Sequence, residues 1–479
     1  MITGAVGGSY KPLSENDIKS IHDMSIRIME EVGVKIPNQQ ALDIFEREGA
    51  NVDKESQVVK IPRAMLEDAV NKAPSQVILY GRREENNLVL EGAKTYLGTG
   101  GTVLYCLDLE TGERRLTTVE DVKNFALITD ALDHISFFVI NVYPNELSLE
   151  DIDINRFYHA VSNTSKHVMG GVYTFEGLKK VIKMGEELAG GADKLRQQPF
   201  ISFITCVMSP LQLDHQYTDY LIEVARQGMP LVTPAEPLAG ATSPVTIAGT
   251  IATNNIETLT GVVLAQLVNP GTPVMYGSVA TSMDMKSGVY LAGSIESGLI
   301  NAGLAQMAQY YRVPFYATAG MSDSKLPDVQ AGYEKAATAM VASLAGANYI
   351  HDAAGLLEFC TTASYEQMVI DNDILGICLR AVRGIEVNEN TLAEEVVRRV
   401  GPAGNFLAED HTVDNYRNEF YFPSLADRHS RKIWEKEGGL DGAQRAREKA
   451  RELLQNHRAE PLPGEAEKKV LSELKGIKA

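Results

Sequence analysis

An apolar run, Val313–Ala319, empties into Gly320, Met321, Ser322, Asp323, Ser324 and Lys325, and a helical pattern begins near Asp328. Asp323 and Lys325 are types that move protons, and a lysine in an apolar surround can form a Schiff base with a carbonyl substrate. Lys325 is flanked by Ser324 and Leu326 with Asp323 close by, which describes an ion-paired structural lysine equally well. Glu236, in VTPAEPLAGATSP, is placed either to balance a bound cation or to cap a turn between Pro234 and Pro237. His351 and Asp352 end another apolar run, where a histidine serves as base, donor or metal ligand. Neighbours on a strand point to opposite faces, however, so the two are not expected to act together.

Tyr143, Tyr173, Tyr276, Tyr316 and Phe359 also fall at or just beyond apolar runs. Together they would make an aromatic cage that holds a quaternary ammonium by cation–π attraction; singly, each reads as packing. Ser209, Ser322 and Ser324 lack a GxSxG elbow, which argues against a serine hydrolase. No HExxH or comparable spacing marks a dedicated metal site. The glycines of GTGG, Gly98–Gly101, are followed by a strand-and-hairpin pattern and not a helix, so they indicate a tight turn or a close approach more than a phosphate cradle.

These residues need a scaffold. Eight strand candidates succeed one another, at Thr95–Gly98, Ile135–Val142, His167–Val172, Phe200–Val207, Leu231–Ala235, Val274–Gly277, Phe315–Ala319 and Asn348–Asp352. Helical patterns fill most gaps, at Asp151–Ser165, Thr174–Leu188, Asp214–Gln227, Val245–Val268, Gly293–Tyr311 and Asp328–Ala345. Eightfold alternation predicts an α/β fold, a (β/α)8 TIM barrel whose active site lies at the carboxyl ends of the strands; an open doubly wound sheet is the alternative. Ahead of it, Ser14 and Asp17 cap a helix striped by Ile21, Met24, Ile28 and Val32, another helix spans Arg63–Lys72, and short strands follow. The expected division is an N-terminal α+β region over residues 1–94, a barrel core over 95–400 and a C-terminal helical extension over 401–479.

Composition narrows the function classes. The chain of 479 residues is 44% hydrophobic and 23% charged, enough to bury a core, and its formal net charge of −18 disfavours nucleic acid as a partner. Four cysteines without CxxC spacing and an N-terminus without a signal pattern suggest a reduced, cytoplasmic protein, and no apolar run approaches the roughly 20 residues of a membrane span.

Several motifs together resemble the trimethylamine methyltransferase superfamily: Gly320–Lys325, Gln330–Lys335, Ala345–Asn348, Tyr365–Asp371, Leu116–Val122 and Phe406–Thr412. The resemblance covers nearly the whole chain. It implies a TIM barrel that passes a methyl group from a methylated amine to the cobalt of a corrinoid carried by a separate small protein. The founding members carry pyrrolysine, whereas this sequence has only standard residues and is similar to the non-pyrrolysine branch, whose substrates are quaternary amines such as glycine betaine, proline betaine and carnitine. On this reading the substrate is a betaine, the corrinoid (cobalamin) belongs to the partner, and the chain holds no tight cofactor or metal of its own; a homo-oligomer is possible. The substrate-binding candidates are Tyr96, Tyr143, Tyr173, Glu236, Tyr276, His351 and Phe359, with His351 or a backbone nitrogen as a donor to a betaine carboxylate. Gly320, Ser322, Asp323 and Lys325 form the loop expected near the corrinoid. A Schiff-base lyase using Lys325 and a non-catalytic betaine-binding protein are the other readings.

Overall fold

The computed structural model describes residues 4–478, and at its centre eight parallel strands close on themselves. They are β1 (Lys94–Thr99), β2 (Phe137–Val139), β3 (His167–Gly170), β4 (Ile201–Ile204), β5 (Leu231–Ala235), β6 (Val274–Ser278), β7 (Phe315–Thr318) and β8 (Tyr349–Ala354). From β2 onward each pairs with the next, and β8 pairs with β1 through Tyr349 and Tyr96. Closure is completed between β1 and β2, where Ser136 N donates to Leu97 O at 2.7 Å and Thr99 Oγ1 to Val139 O at 2.8 Å.

A helix follows every strand: α1 (Val119–Ala131), α2 (Leu149–Asn163), α3 (Phe175–Ala189), α4 (His215–Gln227), α5 (Ile247–Val268), α6 (Ile295–Tyr311), α7 (Val329–Ala345) and α8 (Tyr365–Arg383). The starts are written locally, with Asp214, Asp328 and Ser364 side chains accepting first-turn N–H groups, and Gly190, Gly228 and Gly346 ending helices in left-handed backbone. The chain is therefore a (β/α)8 barrel. Helix α1 lies in a gap where no helix was expected. It starts in a Thr118–Asp121 capping box and is wedged between α2 and the helix Gly442–Asn456, so its apolar residues do not form one stripe.

The N-terminal helices Glu15–Glu31, Gln39–Arg47 and Arg63–Lys72 lie against α5, which explains why α5 is apolar on all sides. The hairpin Gln76–Leu79/Leu88–Glu91 puts Val77, Leu79, Leu88 and Leu90 under the barrel floor. At the other end of the chain, helices Gly442–Asn456 and Gly464–Glu473 clamp the outside through Arg447–Glu366 (2.9 Å) and Tyr158–Glu467 (2.9 Å). None of residues 383–445 is buried, and this stretch displays Ile385, Val387, Leu407 and Phe420. Among the described residues no helix is long and apolar enough to cross a membrane.

Candidate active site

A cavity of about 420 Å³ opens at the carboxyl ends of the strands. Tyr173, Glu236, His351 and Phe359 of the expected substrate-binding residues line it, together with Tyr316 of the expected aromatic cage. Tyr143 stands one layer back, its ring edge-on to Tyr173 at 5.2 Å. Two other candidates are elsewhere. Tyr96 lies at the floor, buried with Phe137 and Tyr349. Tyr276 points out of the barrel, because alternation along β6 turns Met275 inward; its hydroxyl donates to Asn255 Oδ1 of α5 at 2.9 Å.

His351 and Asp352 do act together, contrary to the alternation rule. Asp352 takes a φ of 64° and the register of β8 shifts between Ile350 and Ala354, so both side chains face the cavity with Nε2 and Oδ2 2.9 Å apart. Such backbone is costly for a non-glycine residue and has to be held by its surroundings. Thr318 Oγ1 donates to Asp352 Oδ2 at 2.6 Å, and Gly100 leaves the necessary room: a Cβ there would sit 2.1 Å from Asp352 Oδ1. The close approach anticipated at GTGG is thus made by Asp352. His351 Nδ1 lies 2.6 Å from Ala317 O. Both ring nitrogens face protein acceptors, so His351 has no N–H left for a ligand carboxylate, and that expected role is withdrawn. The ring instead stacks on Tyr316 at 4.0 Å, at the top of an aromatic column running through Tyr349 to Phe137.

The Gly320–Lys325 loop supports the site from behind. Ser322, Asp323 and Ser324 are buried; Ser322 Oγ donates to Glu334 at 2.7 Å, and Asp323 accepts from Ala292 N and Gly293 N. Burial raises the Asp323 carboxyl above its ordinary value. The loop carbonyls of Ser322 and Ser324 accept from Phe359 N and Glu358 N. Those contacts hold Glu358, Phe359 and Cys360 at φ of 53°, 58° and 60°, a left-handed turn that delivers Phe359 and Cys360 to the cavity. Lys325 is outside the lining, its Nζ 4.2 Å from the Phe359 ring centre and donating to Asp323 O. None of Gly320, Ser322, Asp323 and Lys325 touches the cavity directly.

Sequence reasoning missed Tyr217, on the first turn of α4, and Tyr290, in the β-turn-β excursion between β6 and α6. The β6–α6 connection is longer than a barrel requires, and that excess was the available signal. Arg156 of α2 was missed as well. It is fully buried, donates to Val142 O, Ile140 O, Gly171 O and Thr102 Oγ1, and lies 5.2 Å from the Tyr173 ring centre, fixing two lining residues from outside.

Electrostatics follow from enclosure. Glu236 is open to the cavity yet surrounded by protein; burial, then the nearby Asp352, push its carboxyl up to about 7, against the opposing influence of His351. Burial also works against the charge on Asp352, but His351 and Thr318 hold it below the ordinary carboxylate value. Cys206 is open to the cavity, yet the protein around it pushes its thiol up to about 12, and burial raises Cys360, which leaves neither as a thiolate nucleophile. It also raises the Tyr217, Tyr290 and Tyr316 phenols, so they remain O–H donors. Among the described residues no group of three or more His, Cys, Asp or Glu side chains is arranged to hold a metal ion.

The cavity is therefore acidic, aromatic and without an evident nucleophile, and the comparisons with known proteins agree with its lineage. Trimethylamine methyltransferase MttB of Desulfitobacterium hafniense (strain DSM 10664 / DCB-2) is 42% identical over 450 residues, covering 94% of this chain and 90% of that protein. Glycine betaine methyltransferase of D. hafniense (strain Y51) is 34% identical over 452 residues, covering 94% and 93%. The crystal structure of the Methanosarcina barkeri monomethylamine methyltransferase (MtmB) superposes with a TM-score of 0.53 at 10% identity, covering 94% of this chain and 89% of that one, a likeness of fold. The family model for trimethylamine methyltransferase (MTTB) matches residues 5–474, and the chain belongs to that family.

Proposed function

We propose that this protein takes a methyl group from a quaternary amine, glycine betaine or a related betaine, and delivers it to the corrinoid of a separate protein. The observation that carries the reading is the cavity itself: Glu236 and the rings of Tyr173, Tyr217, Tyr290, Tyr316 and Phe359 enclose a space suited to a permanent cation. A quaternary nitrogen neither donates nor accepts hydrogen bonds, so charge and aromatic faces are what can hold it. Each well-placed ring contributes on the order of 1–2 kcal/mol when desolvated. The hydroxyls of Tyr173, Tyr217, Tyr290 and Tyr316 have no partner among the described residues and are available to a betaine carboxylate.

The amine leaves as a neutral tertiary product, so the chain has no proton to supply to it. Its work is to bind, to orient a methyl towards the mouth and to exclude water. When bound, a reduced corrinoid supplies the Co(I) nucleophile. Exposed apolar residues in the segments that follow the strands, Leu104, Met208, Val245, Met285, Val289 and Leu326, support docking of a partner that carries one at this end of the barrel. Exposed apolar residues of the 383–445 stretch, which leaves the opposite end of the barrel at the end of α8, suit self-association. Thermal-shift measurements with glycine betaine, proline betaine, carnitine and butyrobetaine test the binding half of the reading; stabilisation by at least one is expected. A complete absence of stabilisation, together with no consumption of any of them in the presence of reduced corrinoid, would refute it.

A further inference from the structure

Glu236 differs from every other carboxylate at the site. Among the described residues no hydrogen bond or ion pair reaches its side chain, which is open to the cavity while the barrel surrounds it. Asp352, by contrast, accepts from His351 and Thr318. His351 faces Ala317 O through Nδ1 and Asp352 through Nε2, so His351 and Asp352 are engaged with protein groups. Glu236 is thus the carboxylate of the cavity lining that no protein group engages among the described residues.

We propose that Glu236 is a proton-exchanging counter-ion: it stays a neutral acid while the cavity lacks a cation, and arrival of a quaternary ammonium displaces its proton to solvent. This rests on the proposed function and adds a rule for how the substrate is captured. No other bond changes: the carboxylic O–H breaks, the proton leaves to water, and the carboxylate remains beside the permanent cation. An enclosed carboxylate without a partner is costly, and a quaternary nitrogen beside it removes that cost. The groups facing Glu236 do not compete for the role. Asp352 and His351 of β8 are paired with each other, and the surrounding protein raises the Tyr290 phenol of the β6–α6 loop and the thiols of Cys206 beyond β4 and Cys360 beyond β8, which keeps them uncharged. The Glu236 carboxyl, raised to about 7, places the exchange in the neutral range.

Titration calorimetry with the full chain and two probes, glycine betaine and tetramethylammonium, in buffers of different ionisation enthalpy reads the exchange directly. About one proton should be released per cation bound at pH 6 and little at pH 8, with the dissociation constant tightening about tenfold between them. Glu236→Gln should abolish both the release and the pH dependence, and Glu236→Asp should retain the release. Binding with no proton release and one dissociation constant at both pH values would overturn the inference while leaving the proposed function intact. Failure of both probes to bind at either pH would remove both.

Discussion

Lys335 of α7 and Asp371 of α8 form a wholly enclosed ion pair, 3.0 Å from Nζ to Oδ2, that joins the two helices. Lys335 also donates to Gly320 O at 2.6 Å, and Asp371 accepts from Gly355 N at 2.7 Å. The neighbouring motifs Gly320–Lys325 and Gln330–Lys335 thereby meet the more distant Tyr365–Asp371 behind the cavity. Removing one partner strands a buried charge, so Lys335→Met should cost about 3–5 kcal/mol, whereas Lys335→Met with Asp371→Leu should recover part of it. Equilibrium denaturation of the three proteins checks this; a single variant as stable as the parent would show the pair to be dispensable.

Gly100 tests the placement of Asp352. An alanine Cβ would overlap both the Asp352 carboxylate and its backbone N, at 2.1 and 2.3 Å. Gly100→Ala should lower kcat/KM for methyl transfer by roughly 100-fold, the scale of a misplacement of about 1 Å. An unchanged kcat/KM would show that the strained Asp352 geometry is not used.

Arg156 tests the support of Tyr173 and Thr102. Lysine cannot reproduce a guanidinium that donates to three carbonyls and a hydroxyl at once, so Arg156→Lys should raise KM for the quaternary amine more than it lowers kcat. Steady-state kinetics separates the two, and a fall confined to kcat would argue against a positioning role.

Glu257 of α5 predicts how stability depends on pH. Its side chain is fully buried, and burial pushes its carboxyl up to about 8, although Ser209 Oγ (2.6 Å) and Leu211 N (2.8 Å) approach it and oppose the shift. Between about 4.5 and 8 the folded protein keeps a proton here that the unfolded chain releases, so this contribution to stability is complete below pH 4.5 and is lost as pH rises towards 8. The loss should be on the order of a few kcal/mol. Glu257→Gln, whose amide can donate to Ser209 while its oxygen accepts from Leu211, should flatten the profile. Denaturant midpoints across pH 5–9 that are parallel for the two proteins would contradict this.

The barrel was legible because each strand is a short apolar run closed by turn residues and most outer helices carry their caps in sequence, as at Asp214 and Asp328. Helix α1 escaped because neighbours cover more than one of its faces. The site was harder to read. Tyr276 stands near a strand end like the true lining residues, and only the inward turn of Met275 decides against it. His351 and Asp352 converge through a positive φ that no residue type announces. The Gly320–Lys325 run, so rich in reactive types, spends its carbonyls on the turn that carries Phe359 and its Ser322 and Asp323 side chains on Glu334 and the Ala292–Gly293 backbone. Residue type located the region; backbone exceptions and long loops decided which side chains enter it.

A single-turnover assay tests the central claim most directly: the full chain, a reduced corrinoid acceptor and glycine betaine, proline betaine or carnitine, with the demethylated tertiary amine quantified. The account predicts one tertiary amine formed per acceptor methylated for at least one substrate, and a strong loss of that product in Glu236→Gln. Folded protein that binds these amines yet releases no tertiary amine from any of them would contradict it.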